Sequence, residues 1–211
     1  MSTTATRIRA DLGRLIMIPA AAVILMLDLI ALGHGSGGGL KWLATGLVCA
    51  FYLLVIWCYL RRGGATASSG SLTAHVAAVA ATMMPFAFPL LGAAAGAGAQ
   101  LTSDALLVVG TTWSVWALWS LGRNLSVLAQ ARDLADRGPY RWVRHPLYTG
   151  ELVSALGLAI AAGTLAAAVT WVILCLLQGY RAVREEQVLL RALPGYPSYR
   201  SRTAALLPGL F

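Results

Sequence analysis

The segment Gly138–Glu151, read as GPYRWVRHPLYTGE, sets Arg144, His145 and Tyr148 around Pro146. A long uncharged run follows. It closes on a second polar cluster, Arg181-Ala-Val-Arg184-Glu185-Glu186. Ionisable side chains beside membrane segments are expensive to bury, so they mark a functional site by default. Two such clusters flanking one apolar stretch predict a single site at a membrane surface. Gly138-Pro139 forces a turn, and Pro146 pushes His145 out of helical geometry, which makes the loop an ordered one. Arg141 on its own reads as an ordinary basic loop residue. Glu185 and Glu186 read as the end of the last membrane helix, where the helix dipole disfavours acids. Arg181 lies four residues before Glu185 on the same face. Spacing leaves two readings open: a solvated ion pair at a helix end, or a cation and an acid holding two different ligands.

The elements that must position these clusters are membrane helices. The chain has 211 residues, 58% hydrophobic and only 11% charged, where a soluble domain carries about 25% charged residues. This predicts an all-α, polytopic integral membrane bundle. Sixteen Lys+Arg against eight Asp+Glu give a formal charge of +8. In a membrane protein, basic residues sit in cytoplasmic loops against anionic headgroups, and no basic-aromatic module points to nucleic acid. Cys49, Cys58 and Cys175 lie inside apolar runs and read as small buried hydrophobes, with no disulfide framework and no metal site. No GxGxxG follows a strand, so there is no dinucleotide fold. Gly96 and Gly98 read as loop glycines.

A bilayer core needs roughly 20 apolar residues per helix. Four spans fit: Leu15–Leu32, Trp42–Leu60, Leu72–Leu91 and Ala105–Leu121. Arg7, Arg9 and Arg14 ahead of the first run mimic a signal peptide, but its length reads as the first membrane helix. Gly92–Gly98 and Asp104 separate the third span from the fourth, and Pro85 and Pro89 should kink the third. The run Leu152–Tyr180 as one helix would reach roughly 44 Å against a core of about 30 Å. Gly163-Thr164 near its middle suggests a hairpin of Leu152–Ala162 and Leu165–Tyr180. Charge favours the hairpin. It places Arg123, Arg132, Arg137, Arg141 and Arg144 on the same side as Arg181, Arg184, Arg191, Arg200 and Arg202, as the positive-inside tendency requires. The expected arrangement is N-in and C-in with five to six membrane helices. Residues 1–121 supply N-terminal helices, and 122–211 the loop, hairpin and tail, in one structural domain.

Gly-Pro-Tyr, then Arg-His-Pro-Leu-Tyr-Thr-Gly, then a hydrophobic hairpin, then Arg-x-x-x-Glu-Glu, then Tyr196-x-x-Tyr199 resembles the isoprenylcysteine carboxyl methyltransferase family over about Leu121–Phe211. More loosely, it is similar to phospholipid N-methyltransferases and a group of membrane sterol reductases. The resemblance implies an S-adenosylmethionine cofactor and a lipophilic, prenyl-like substrate entering from the bilayer, at a bacterial-type inner membrane with the site facing the cytoplasm. It implies that Gln130, Arg132, Asp133, Leu134 and Ala135 line the cofactor pocket, with Tyr140, His145, Pro146, Leu147 and Tyr148 in contact. It gives Glu185 the cofactor's polar end and Arg181 the substrate carboxylate, as the catalytic and substrate-binding residue. The tail Ala192-Leu-Pro194-Gly-Tyr196-Pro197 departs from the family pattern with two prolines.

The physics agrees with that implication. A carboxylate nucleophile is ionised at neutral pH, so positioning and water exclusion carry the catalysis. An arginine fork suits a carboxylate, and His145 needs no acid–base role. Three other functions are weighed: N-methylation of a lipid amine, for which Arg181 is a poor partner; a non-catalytic lipid-binding or transport protein; and a nicotinamide-dependent reductase. Trp113, Trp116 and Trp119 form either an interfacial stripe or the wall of a lipid-access groove. Asp28 receives no catalytic role, and His34 and His75 read as structural.

Overall fold

The computed structural model describes residues 15, 17–30, 33, 38–61, 67–68, 71–92, 96–125, 130–131 and 134–207. The architecture is helical, as expected. In order come α1 (Met17–Ile30), α2 (Gly39–Arg61), α3 (Leu72–Met83), a 3-10 turn at Met84–Leu90, α4 (Ala97–Leu121), α5 (Pro146–Ala162), α6 (Leu165–Ala192) and a short α7 (Tyr196–Arg200). Four stretches among the described residues are long and apolar enough to cross a membrane: α2, α3 with its 3-10 turn, α4 and α6. The apolar helices α1 and α5 are shorter. Large apolar side chains point outward all round the bundle, with Leu165 and Leu176 among the most exposed. That is the pattern of a surface solvated by lipid rather than water.

Local chemistry sets most boundaries. Ser71 caps α3 by accepting from the Ala74 amide. Pro85 and Pro89 cannot donate to an α-helical ladder, and the chain tightens into the 3-10 turn there, so the expected kink is present. Gly163 sits at φ 64° and ends α5 in the left-handed conformation that favours glycine. Thr164 then caps α6 by accepting from the Ala167 amide, and donates 2.7 Å to the Leu91 carbonyl. One threonine thereby ties the hairpin turn to the end of the 3-10 segment.

The hairpin is real, and its arms are longer than the spans read from the sequence. Trp171 Nε1 donates 3.0 Å to the Leu152 carbonyl, and Gln178 meets Glu151, so α5 and α6 run antiparallel. Their interior is the apolar cluster of Ala155, Ala159, Ala162, Ala167 and Leu174, joined by Ala81 and Phe88. A second cluster, Ala21, Val55, Cys58, Tyr59, Leu118 and Leu125, joins α1, α2 and α4.

Three boundaries differ from the sequence reading. Helix α4 starts at Ala97, so Asp104 and Gly98 are helical rather than breakers. Gln100 Nε2 donates 2.9 Å to Asp104 one turn on, which accommodates the buried carboxylate inside the helix. Helix α6 continues through Glu185 and Glu186 to Ala192, so the two acids are interior and the helix-end dipole argument does not apply to them. The first hairpin arm begins at Pro146, not Leu152, because proline is well placed at the first helical position. His75 is helical and bonds the Ser71 carbonyl; His34 lies outside the described residues.

The closest seam is between α4 and α5. A Cβ added at Gly110 would lie 2.6 Å from the Gly150 carbonyl oxygen and would also collide with Ser154. Small residues on both sides let the backbones approach, as membrane helix pairs commonly do. A two-residue antiparallel ladder pairs β1 (Ala67–Ser68) with β2 (Gln130–Ala131). It brings the connection after α2 to the connection after α4, and both to the polar end of the hairpin.

Candidate active site

The loop before α5 is held by the chain's own C-terminal segment. Gly138, at φ 58°, opens a 3-10 turn through Arg141 that buries Tyr140. The Arg144 amide donates 2.8 Å to the Ala204 carbonyl and the His145 amide 3.0 Å to Ala205, while the Ala204 amide donates 3.0 Å to Trp142. Tyr199 donates 2.8 Å to the Tyr140 carbonyl, and Thr149 donates 2.7 Å to Leu206. Burial pushes the Tyr199 phenol up to about 12, and pushes Tyr140 further in the same direction. Both phenols remain neutral across the physiological range, and Tyr199 acts as the donor. His145 adopts φ −124° and ψ 56° at the N-cap of α5, the departure from helical geometry that Pro146 imposes.

Two helix faces then converge. On α5, His145 and Tyr148 stack with ring centroids 5.3 Å apart and planes 7° from parallel. On α6, Gln178, Arg181 and Glu185 share one face at spacings of three and four. The Tyr148 hydroxyl donates 2.6 Å to Glu185, which lies 3.7 Å from His145 Nδ1. The Arg181 guanidinium lies over the Tyr148 ring, 4.7 Å from its centroid, in the geometry of a cation–π contact. Arg181 Nη1 donates 2.9 Å to Gln178, and Gln178 Nε2 donates 2.6 Å to Glu151. Glu186 gathers the rest: Arg144 Nε at 2.7 Å, Arg200 Nε at 3.0 Å and His145 Nε2 at 3.3 Å. Arg144 Nη1 also donates to the carbonyls of Arg200 and Thr203.

His145, Tyr148, Arg181 and Glu185 are therefore neighbours, as the two flanking clusters led one to expect. Pro146 is buried as the first residue of α5, and Leu147 turns the other way, against the apolar cluster of Tyr59, Leu118 and Leu125. Gln130 lies in β2, which packs against α6. Leu134 and Ala135 are half-buried in the approach to Gly138. Arg132 and Asp133 lie outside the described residues. Arg144 and Glu186, singled out in the motifs without an assigned role, form the ionic hub beneath His145. Glu151, Gln178 and Arg200 carried no assignment. Their available signals were an acid one turn into an apolar helix and an amide three residues before Arg181.

Two of the tryptophans line a groove between α4 and α5. Its volume is about 610 Å³, and Val108, Val109, Gly110, Trp113, Trp116 and Val153 form most of its wall. Its lining is almost wholly apolar, and it reaches Thr149, the residue after Tyr148. Trp119 instead stacks on Trp57 at 6.2 Å on the exposed surface.

A family model for phospholipid methyltransferases matches residues 99–194, which contain nearly all of α4, the loop, α5 and α6, and end where the tail begins. Residues 99–194 are thus similar to phospholipid methyltransferases. The chain is 33% identical, over 106 residues, to the cobalt-zinc-cadmium resistance protein CzcN of Cupriavidus metallidurans, covering 50% of this chain and 45% of that one. It is 32% identical, over 117 residues, to the nickel-cobalt-cadmium resistance protein NccN of Alcaligenes xylosoxydans xylosoxydans, covering 51% and 52%. The chain thus spans about half the length of these curated relatives. Among solved structures it resembles the eukaryotic intramembrane Ras methyltransferase ICMT, an isoprenylcysteine carboxyl methyltransferase. The TM-score is 0.54 at 20% identity, over 90% of this chain and 74% of that one. The fold around the family segment is therefore of the ICMT type, that of an integral membrane protein.

Proposed function

We propose that this protein is an S-adenosylmethionine-dependent membrane methyltransferase that esterifies the carboxylate of a lipophilic, isoprenylcysteine-like acceptor. The observation that carries the reading is the meeting of His145, Tyr148, Arg181 and Glu185 at the polar end of one membrane hairpin, inside the family segment. The residues present fit the cofactor's amino, carboxylate and hydroxyl groups. Glu185 is a partly exposed carboxylate, and the buried Tyr196 hydroxyl has no hydrogen-bond partner among the described residues. Glu185, His145, Tyr148 and Tyr140 would hold the cofactor, with Gln130 and Arg132–Ala135 along its pocket. When bound, the cofactor supplies an electrophilic methyl group on a sulfonium.

The chain's own groups then have three tasks. Arg181 grips and orients the acceptor carboxylate, which needs no general base because it is already ionised. The Tyr148 ring holds the guanidinium in place. The loop and the C-terminal segment clasped to it exclude water, which strengthens each charged contact inside. An apolar acceptor tail reaches this end of the hairpin along the α4–α5 groove. The site faces the cytoplasm, because the basic loops share that end of the bundle.

A second reading, N-methylation of a lipid amine, draws support from the two carboxylates, Glu151 and Glu185, that accompany Arg181 in the cluster. Calorimetric titration of the detergent-purified protein begins the test. S-adenosylmethionine should bind and reduced nicotinamide cofactor should not. Absence of binding by the methyl donor removes both methyl-transfer readings at once.

A further inference from the structure

We propose that two arginine–tryptophan clusters at the polar end of the bundle hold the phosphates of anionic phospholipids. In the first, the indoles of Trp57 on α2 and Trp119 on α4 lie 7° from parallel with centroids 6.2 Å apart. The Arg61 guanidinium lies over Trp57, 5.4 Å from its centroid. In the second, Trp116 on α4 meets Trp142 edge-on at 5.6 Å, and the Arg141 guanidinium lies 5.6 Å from the Trp142 centroid. Trp116 and Trp119 stand three residues apart, so the two clusters meet α4 about one helical turn from each other. All six side chains are exposed, Trp119 at 69%.

Charge and depth identify the ligand. The ion pairs among the described residues are made by Arg144, His145 and Arg200 with Glu185 and Glu186; neither Arg61 nor Arg141 joins one. A guanidinium can rest its face on an indole and still bind oxygen anions along its N–H edge. Phosphate suits that edge, which can grip two oxygens at once. On α2 the exposed Leu53 and Leu60 accompany Trp57, so the first cluster continues the lipid-facing surface up to its arginine. Indoles at such a boundary sit at headgroup level, where lipid phosphates are concentrated. An anionic headgroup fits better than a zwitterionic one, because a choline or ethanolamine group would bring a cation beside the guanidinium. Trp116 also forms part of the α4–α5 groove wall, so a lipid held at Arg141 stands beside that groove. The assignment is independent of which acceptor the enzyme methylates.

The thermal midpoint of the detergent-purified full chain, titrated with different lipids, provides the test. Short-chain phosphatidylglycerol near saturation should raise the midpoint by about 5 °C or more. Phosphatidylcholine of the same chain length should give less than about half that shift, and inorganic phosphate almost none. Arg61→Gln and Arg141→Gln should each remove part of the phosphatidylglycerol shift. The double variant should remove most of it and weaken phosphatidylglycerol binding about tenfold. Its midpoint without added lipid should stay within about 2 °C of wild type, because both substitutions are exposed. A full phosphatidylglycerol shift in the double variant overturns the proposal, and so does an equal shift from phosphatidylcholine in the wild type. An equal shift from inorganic phosphate would reveal a free-anion site and overturn the lipid assignment. A second measurement needs no variant. In bilayers containing the reconstituted wild type, brominated phosphatidylglycerol should quench tryptophan fluorescence more strongly than brominated phosphatidylcholine at the same mole fraction. Equal quenching by the two lipids overturns the proposal as well.

Discussion

Tyr148 does three jobs with one side chain. Its ring stacks on His145 and supports Arg181, and its hydroxyl holds Glu185. These are separable. Tyr148→Phe keeps the ring and removes only the hydroxyl bond to a carboxylate. Such a bond contributes about 1.5–3 kcal/mol. Tyr148→Phe should therefore weaken S-adenosylmethionine binding about tenfold through a looser Glu185, with the circular-dichroism spectrum and thermal midpoint close to wild type. Calorimetry checks it. This cluster was legible in the sequence because prolines and glycines bracket it: Gly138-Pro139 and Pro146 announce an ordered loop, and Arg181 and Glu185 interrupt an apolar run. Gln178 and Glu151 were not, because an amide three residues before Arg181 and an acid one turn into an apolar helix are faint signals on their own. Their meaning comes from the antiparallel register of α5 and α6, which places residue 151 opposite 178.

The seam between α4 and α5 positions the loop that carries His145. Gly110 and Gly150 meet there with no room for a side chain. Gly110→Leu should force the helices apart, at a cost of about 1–3 kcal/mol for overpacking. A lower thermal midpoint in detergent and weaker cofactor binding, appearing together, are the expected outcome. The hairpin could be read from charge and length alone, since a single helix would be too long and would split the arginines between two sides. The helix ends could not. Asp104 looked like a breaker because a lone acid in an apolar run usually ends a span, yet Gln100 satisfies it one turn earlier. Glu185 and Glu186 looked terminal, yet α6 continues because their partners come from other elements: Tyr148, Arg144 and Arg200.

At the scale of the whole molecule, the bundle combines an outward apolar surface with one polar end. The α4–α5 groove connects the two, running among Trp113, Trp116 and Val109 toward Thr149. Val109 is largely exposed at the groove, so a larger side chain there fills space without disturbing the core. Val109→Trp should raise the KM of a long-chain acceptor about tenfold, the loss of roughly two buried methylenes, and leave a short-chain acceptor nearly unaffected. Equal effects on both chain lengths would remove the groove from the substrate path. The central claim is methyl transfer to a carboxylate gripped by Arg181. Its most direct test is incubation of the purified protein with N-acetyl-S-farnesylcysteine and methyl-labelled S-adenosylmethionine, followed by mild base. The account predicts label in the lipid product that base releases as methanol, and loss of that label in Arg181→Ala with cofactor binding retained. Base-stable label, or base-labile label undiminished in Arg181→Ala, would contradict it.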